Sequence, residues 1–260
     1  MLLRRITKHV KDQNWFAVSV DFAIVVIGVF IGIQVANWNA ARLTSMKEKG
    51  FTERLLNELS DEAWIYHYFV SYQEDVLRAA ELAQKALEPE TNLTREQLLI
   101  NSYRASQYTW WIQRRGTFDE MIATGNLGLI EKDALRQTAL AVYSSPLRKQ
   151  IEQNGESSPY REMFRRTVPT DVHRALGKAC GDMEIPLGEY DRLPDVLSYE
   201  CKLDLSAEKI EATAQALIAN PEFAPTLRLR LATLETELAD LKENNEVTRF
   251  FEGLRKDGRP

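Results

Sequence analysis

The longest apolar run of the chain lies near its N-terminus, between Trp15 and Trp38. Its sequence is WFAVSVDFAIVVIGVFIGIQVANW, and no polar side chain occurs from Phe22 to Ile33. A helix of a soluble protein normally keeps a polar face. As a helix, the run would be about 35 Å long, slightly more than the hydrocarbon core of a bilayer at about 30 Å. The pattern predicts a transmembrane helix over residues 15–38. A buried core helix fits less well, because the run lies close to the N-terminus and has a Trp at each end. A cleaved signal peptide also fits less well, because the run is long and no Ala-x-Ala site follows it.

One face of this predicted span carries an acid and small residues. At 100° per residue, five side chains fall within about 60° of the first of them. We call this set the anchor stripe: Asp21, Val25, Gly28, Gly32 and Ala36. Its Gly-x-x-x-Gly pair lets two helix backbones approach closely, and an acid inside a bilayer usually faces a partner or water. The stripe predicts helix packing with a second copy or a partner subunit. Alternatively, the glycines are ordinary for such a helix, and Asp21 reaches the headgroups.

Beyond the span, the pattern remains helical. Apolar residues recur at helical spacing from Phe51 to Leu87, and no proline interrupts them. This predicts a long helix over residues 39–88, which could be continuous with the span. The polar EPETN segment that follows begins a helical domain over residues 89–254.

Residues 89–254 contain several shorter helix signals. Two segments have the spacing of a capping box, Thr94 with Gln97 and Thr117 with Glu120. Gly125 fits a helix C-terminus. Further helix starts are predicted at Asp133, Ser158–Pro159, Pro169 and Ser206. The last predicted helix carries an apolar seam, which indicates packing within a bundle rather than a free coiled coil: Leu227, Leu231, Leu234, Leu238 and Leu241. The predicted fold class is all-α, with an N-terminal transmembrane helix, a long helix and a multi-helix bundle.

An irregular acidic connection over residues 181–204 interrupts this pattern. It holds two prolines, two glycines and seven acids, and the alternation from Tyr199 to Leu205 allows a short strand. Cys180 and Cys201, the two cysteines of the chain, lie at its ends. In an oxidising compartment this spacing predicts one disulfide. The alternative is two separate buried thiols.

Charge separates the N-terminal tail from the remainder. The net charge is −5, but residues 1–14 carry +3, so that the remainder carries −8. Such an acidic protein offers no electrostatic footprint for nucleic acid. A basic tail before a span favours the cytoplasmic side, although four basic residues also follow the span by residue 54. We therefore expect a bacterial inner-membrane protein with a cytoplasmic N-terminus and a periplasmic C-terminal domain that ends in a short tail, residues 255–260.

No catalytic motif is found, and the sequence predicts neither an enzyme nor a cofactor or metal site. The three histidines, His9, His67 and His173, are far apart and lack metal-ligand spacing. One aromatic segment, YTWWIQRR, could form the floor of a ligand pocket through four residues: Trp110, Trp111, Arg114 and Arg115. The alternative is an aromatic core with a basic rim.

Two segments resemble a known family. LRRITKHVKDQNWFAVSVDFAIVVIGVFIGIQVANWNAAR and GTFDEMIATGNLGLIEKDALRQTALAVYSS are similar to blocks of a family of uncharacterised bacterial membrane proteins, a domain of unknown function. The resemblance covers roughly a quarter of the chain. It implies a single-pass anchor and a helical body, and it brings no activity, cofactor or catalytic residue.

Two functions remain open after these exclusions. The first is an anchored interaction or structural protein that contacts the lipid bilayer and a partner. That partner would be a second copy or another membrane or periplasmic protein. The second is a ligand-sensing module that signals through a partner subunit. Packing faces support the first, whereas the second depends on a pocket.

Overall fold

A single helix, α1, runs from Trp15 to Lys85 and organises the whole structure. The computed structural model describes residues 15–184 and 196–256. The basic tail 1–14, the central part of the acidic connection and the last residues of the C-terminal tail therefore lie outside the described residues. The 71 residues of α1 extend about 107 Å. The predicted span and the predicted long helix are thus one element that ends at Lys85 rather than at residue 88. No proline occurs within it, so nothing removes a backbone donor from its hydrogen-bond ladder.

Nine further helices follow α1 in the part of the chain that the structure describes. They are α2 (Arg95–Ala105), α3 (Gly116–Ala123), α4 (Asp133–Ser144), α5 (Leu147–Glu156), α6 (Pro159–Thr167), α7 (Thr170–Cys180), α8 (Ala207–Ala219), α9 (Phe223–Glu243) and α10 (Glu246–Lys256). A short 3₁₀ turn, Leu127–Leu129, separates α3 from α4. Since no strand occurs among the described residues, the predicted all-α fold is confirmed.

Several helix ends follow the sequence signals. Thr94 and Gln97 form both bonds of the capping box of α2. Gly125 adopts a φ of 67°, the left-handed conformation that suits the residue after a helix. Ser158 precedes Pro159 at the start of α6, although its hydroxyl caps no backbone donor. Ser206 caps α8 by accepting a bond from the amide of Lys209.

Two local predictions are wrong. Thr117 is not an N-cap, because α3 begins at Gly116 and the Thr117 amide donates instead to Glu58 Oε1 of α1, at 2.7 Å. The segment from Tyr199 to Leu205 is not a strand. Side chains of α2 satisfy its backbone, since Arg104 donates to the Tyr199 carbonyl at 2.8 Å and Glu96 accepts from the Leu203 amide at 2.7 Å.

Two apolar clusters pack along the second part of α1. The anchor-side core consists of Phe51, Leu55, Leu59, Phe118, Met121, Ile130, Leu135, Ala139, Tyr143 and Val247. The far core begins on α1 at Ile65 and joins α2 and α6–α9. The five leucines of the α9 seam are all buried, so the prediction of packing within the bundle is confirmed. We call the packed part of the structure, from residue 51 to 256, the body.

Candidate functional site

The first part of α1 packs against nothing in the described structure. Its most apolar 18-residue window has a mean hydropathy of 2.5, and no residue in that window is buried. By length and composition, this helix could cross a membrane. The predicted span from Trp15 to Trp38 therefore lies on a helix of the required length, and its side chains are available to lipid or to a partner.

The anchor stripe lies on this free part of α1. Asp21, Val25, Gly28, Gly32 and Ala36 are all exposed. A Cβ atom added at either glycine would meet no described atom within 4 Å. The stripe is thus an open face, because no residue of the described part of the chain covers it.

The stripe extends beyond the span into a segment that the sequence analysis did not single out. We call residues 39–50 the stalk, since they join the span to the body and all but one are exposed. Its two large apolar side chains, Leu43 and Met46, are 54% and 61% exposed. At 100° per residue, both lie within about 40° of the direction of Asp21. From Ala36, apolar residues recur three or four positions apart at Ala40, Leu43 and Met46. This spacing is the signal that could have revealed the extension.

The predicted disulfide is present between Cys180 and Cys201. Their Cα atoms are 5.5 Å apart, within the limit of about 7 Å that a bridge requires. Arg104 holds both ends of the connection, because its Nε donates to the Cys180 carbonyl and its Nη2 to the Tyr199 carbonyl. The Arg104 guanidinium also lies over the Tyr199 ring, 4.8 Å from the centroid. The acidic connection is therefore fixed at its two described ends.

The four residues of the predicted aromatic pocket have different surroundings. Trp110 is 62% exposed, whereas Trp111 packs edge-on against Trp64 in the far core, with ring centroids 6.1 Å apart. Arg114 forms an ion pair with Asp61 and Arg115 with Asp119, each at 2.8 Å. This arrangement corresponds to the alternative of an aromatic core with a basic rim. A ligand pocket formed by all four residues stays a prediction.

A cavity of about 300 Å³ lies next to this segment, near the boundary between the two cores along α1. Gln113 lines it together with Glu62 and Tyr66 of α1, Arg148 of α5 and apolar residues of α4, α9 and α10. Glu62 is only 2% exposed. It lies between Leu59 and Ile65, the α1 residues that flank the boundary. Sequence periodicity could not reveal this site, because a single acid on a helix normally faces solvent.

Both carboxylate oxygens of Glu62, which lines this cavity, accept a hydrogen bond. Its Oε2 accepts from Arg148 Nη1 at 2.9 Å, and its Oε1 accepts from the Arg114 amide at 2.9 Å. Burial raises the pKa of the Glu62 carboxyl, whereas the charge of Arg148 acts in the opposite direction. Nearby, burial raises the pKa of Tyr66 to about 12, and its hydroxyl donates to the Leu241 carbonyl. The neutral tyrosine and the buried ion pair thus connect α1 with α5 and α9.

Among the described residues, no group of three or more His, Cys, Asp or Glu side chains could hold a metal ion. His67 contacts the Thr248 hydroxyl, and His173 packs against Tyr103 and Phe164. Comparisons of the chain with protein-family models, curated proteins and solved structures give no match. The function must therefore be argued from the geometry of this chain.

Proposed function

We propose that this chain is a single-pass membrane protein whose helical body binds another protein. Residues 15–38 would cross the inner membrane of a bacterium, with the N-terminus in the cytoplasm and the body in the periplasm. One observation carries the proposal: α1 is continuous from an unpacked apolar segment into the centre of both cores. The proposal assigns the chain no catalytic role and no cofactor.

The free segment favours a bilayer for energetic reasons. Phe22, Ile24 and Phe30 are each more than half exposed, as are several other large apolar side chains of the span. Removing one such side chain from water contributes about 1.5–3 kcal/mol. A run of this length would be strongly unfavourable in water, whereas a bilayer or a partner helix would cover it.

Two features support a periplasmic body. The disulfide between Cys180 and Cys201 suits an oxidising compartment. The basic tail suits the cytoplasmic side of an inner membrane. The same disulfide would be unusual in the cytoplasm, where thiols are kept reduced.

The stalk supports a helical partner. Leu43 and Met46 extend the anchor stripe out of the membrane, where exposed apolar side chains gain most from a second helix. Arg42, Lys47 and Lys49 lie beside them and form no ion pair among the described residues. A second copy packed in parallel would place these cations close to each other, so the charges favour a partner that supplies acids.

Membrane attachment can be tested by fractionation. The full chain should remain in the membrane pellet after carbonate and high-salt washes. A variant that lacks residues 15–38 should become soluble and retain its helical circular dichroism, because both cores begin at Phe51 or later. Recovery of the intact chain in the soluble fraction would refute the anchor.

Cysteine cross-linking can identify the partner. Leu43→Cys lies on the extended stripe, whereas Ser45→Cys lies on another side of the stalk and serves as the matched control. A second copy as partner predicts disulfide-linked dimers of the first variant only. Cross-linking of Leu43→Cys to a different protein would support a heterologous partner. Equal reactivity of both variants would contradict a defined packing face.

A ligand-sensing module remains the second candidate, and the cavity beside Glu62 is the observation that favours it. Its volume of about 300 Å³ is at the lower end of small-molecule sites. A ligand there would contact α1 directly, in the helix that also forms the predicted span. Filling the cavity with Val142→Trp should abolish any ligand response and leave membrane attachment unchanged.

A further inference from the structure

The exposed apolar line of the stalk is flanked by positive charges on both sides. Written as heptads, α1 places Leu43 at position a, Met46 at position d and Gly50 at the next position a. We call these three residues the stalk seam. All three are exposed, and a Cβ atom added at Gly50 would meet no described atom within 4 Å. In a coiled coil, the flanking e and g positions set the choice of partner. From residue 42 to residue 54 these positions hold Arg42, Lys47, Lys49 and Arg54.

Most of this positive charge is not neutralised within the chain. Arg42, Lys47 and Lys49 are exposed and form no ion pair among the described residues. Arg54 pairs with Glu120 at 2.8 Å, but the two side chains remain 52% and 46% exposed. The stalk seam therefore presents an apolar centre with a positive edge on each side.

The chain itself covers the same side of α1 where that helix enters the body. About 18 residues make five turns of a helix, so Trp64 lies on the same side of α1 as Met46. Trp64 packs edge-on against Trp111 of the segment between α2 and α3, with ring centroids 6.1 Å apart. Asp61, one turn earlier, pairs with Arg114 of that segment at 2.8 Å. This side of α1 is thus covered in the body and left open in the stalk.

A second copy of the chain would fit the stalk seam poorly. In a parallel two-stranded coiled coil, residues at g on one helix pair with residues at the following e on the other helix. Arg42 would then face Lys47 of the second copy, and Lys49 would face Arg54. Each of these pairs would occur twice and would be repulsive. The charges therefore favour a different chain that carries acids at its e and g positions.

We infer that the stalk forms a parallel two-stranded coiled coil with an acidic helix of a different membrane protein. The inference rests on the proposed function, which places the stalk outside the bilayer beside the span. The partner helix carries apolar residues at a and d and Asp or Glu at e and g.

An anchored partner fits better than a soluble one because the apolar part of the line is short. Beyond Gly50, the a and d positions become polar, with Glu53 and Asn57. A helix that packs over about two heptads alone is marginally stable in water. Gly32 and Ala36 of the anchor stripe fall at d and a of the same heptad frame, so a partner span would extend the contact into the membrane.

Cysteine cross-linking to a designed probe tests the charge rule. The probe is a synthetic peptide with an apolar span of about 20 residues, followed by about two heptads with a cysteine at the position a opposite residue 43. One form has Glu at e and g, and the other has Lys. Each form is reconstituted with the full chain carrying Leu43→Cys in phosphatidylcholine liposomes.

The acidic probe should give about tenfold more disulfide-linked product than the basic probe, and about 0.5 M salt should remove most of this difference. Ser45→Cys lies at position c, away from the seam, and should give little product with either probe. Equal yields from the two probes with Leu43→Cys would overturn the inference. Dimers of Leu43→Cys that form without a probe would also overturn it.

Charge reversal localises the contact to the stalk. Lys47→Glu together with Lys49→Glu should reduce the ratio of the acidic to the basic product to about one. Lys85→Glu together with Lys202→Glu changes the charge equally at exposed positions of the body and should leave the ratio unchanged. The same loss in both double variants would overturn the inference. Membrane attachment is measured separately by the carbonate wash, so a failure of the charge rule is distinguishable from a failure of the proposed function.

Discussion

Replacing Arg148 by methionine should leave the Glu62 carboxylate buried without its cationic partner. Methionine keeps much of the length and the apolar stem of the arginine, so the change mainly removes the charge. Arg148 is nearly buried, with 11% of its side chain exposed, and Glu62 has 2% exposed. The arginine also lies over the Phe69 ring, 5.8 Å from the centroid.

The expected magnitude follows from this burial. Removing one partner of a buried ion pair costs about 3–5 kcal/mol of unfolding free energy, because the remaining charge is uncompensated. Glu62 would keep its bond from the Arg114 amide, which places the expectation at the lower end, about 3 kcal/mol. The double variant Glu62→Gln/Arg148→Met removes both charges. Its loss should be smaller than the sum of the single losses by about 1–3 kcal/mol.

The pH dependence has a definite sign. Burial raises the pKa of Glu62 in the folded chain, and Arg148 opposes that rise. A carboxyl with a raised folded pKa binds its proton more tightly when folded, so the unfolding free energy falls as the pH rises through the interval between the unfolded and folded pKa values. Without Arg148 the folded pKa rises further. The Arg148→Met variant should therefore lose most stability at neutral and alkaline pH and regain it on acidification.

Chemical unfolding of the full chain in neutral detergent, followed by circular dichroism, measures both effects. The unfolding free energy is compared at about pH 8 and at about pH 5, both of which lie above the ordinary pKa of a glutamate. The double variant is the control, since it lacks the titrating pair. A loss below about 1 kcal/mol, or a loss of equal size at both pH values, would show that Glu62 is solvated rather than buried and would refute the reasoning.

Three further changes test other parts of the structure. Gly28→Leu together with Gly32→Leu should block close helix approach and reduce association in a membrane two-hybrid assay, and unchanged association would exclude the anchor stripe as the packing face. Cys180→Ser should cost about 3 kcal/mol of unfolding free energy by releasing a closed loop, and the same loss after reduction of the native chain, but no further loss on reduction of the variant, is the matching control. Gly125→Ala should cost about 1–2 kcal/mol because of its positive φ, whereas Gly128→Ala, which has open space and no positive φ, should be milder in the same unfolding assay.

Features set by local chemistry could be predicted from the sequence. The apolar run, the capping box at Thr94, the turn at Gly125 and the leucine seam of α9 each depend on residues close in the chain. The spacing of Cys180 and Cys201 likewise indicated the bridge, once an oxidising compartment was assumed. These features recur in many folds, so their physical basis is general.

Features set by distant contacts could not be predicted in this way. The Thr117 amide donates a hydrogen bond to Glu58, which is 59 residues away in the chain. No sequence pattern near Thr117 predicts this acceptor. Helix α5 was missed because LRKQIEQNGE is polar, and only Ile151 and Gly155 of it are buried. At Gly155 a Cβ would lie 2.6 Å from the Tyr108 Cβ, a close approach that only the folded chain reveals.

The buried charges were the least predictable part of the structure. Arg230 and Glu237 belong to a helix whose charged residues otherwise face solvent. On this helix a buried position lies only two residues from an exposed one, as Arg228 and Arg230 show. Their burial depends on how α9 lies against α1 and α6, which the sequence pattern does not specify.

The unbroken course of α1 fixes the rotation of the body about the helix axis relative to the predicted span. All but one of the stalk residues are exposed and both cores begin at Phe51 or later, so one alanine inserted in the stalk would disturb neither core. It would nevertheless turn the body by about 100° relative to the span and lift it by about 1.5 Å. A partner that grips both the span and the body would lose one of the two contacts, and a seven-residue insertion would restore the phase to within about 20°. Because the predicted span and the body share one continuous helix, their binding faces keep one fixed relative orientation.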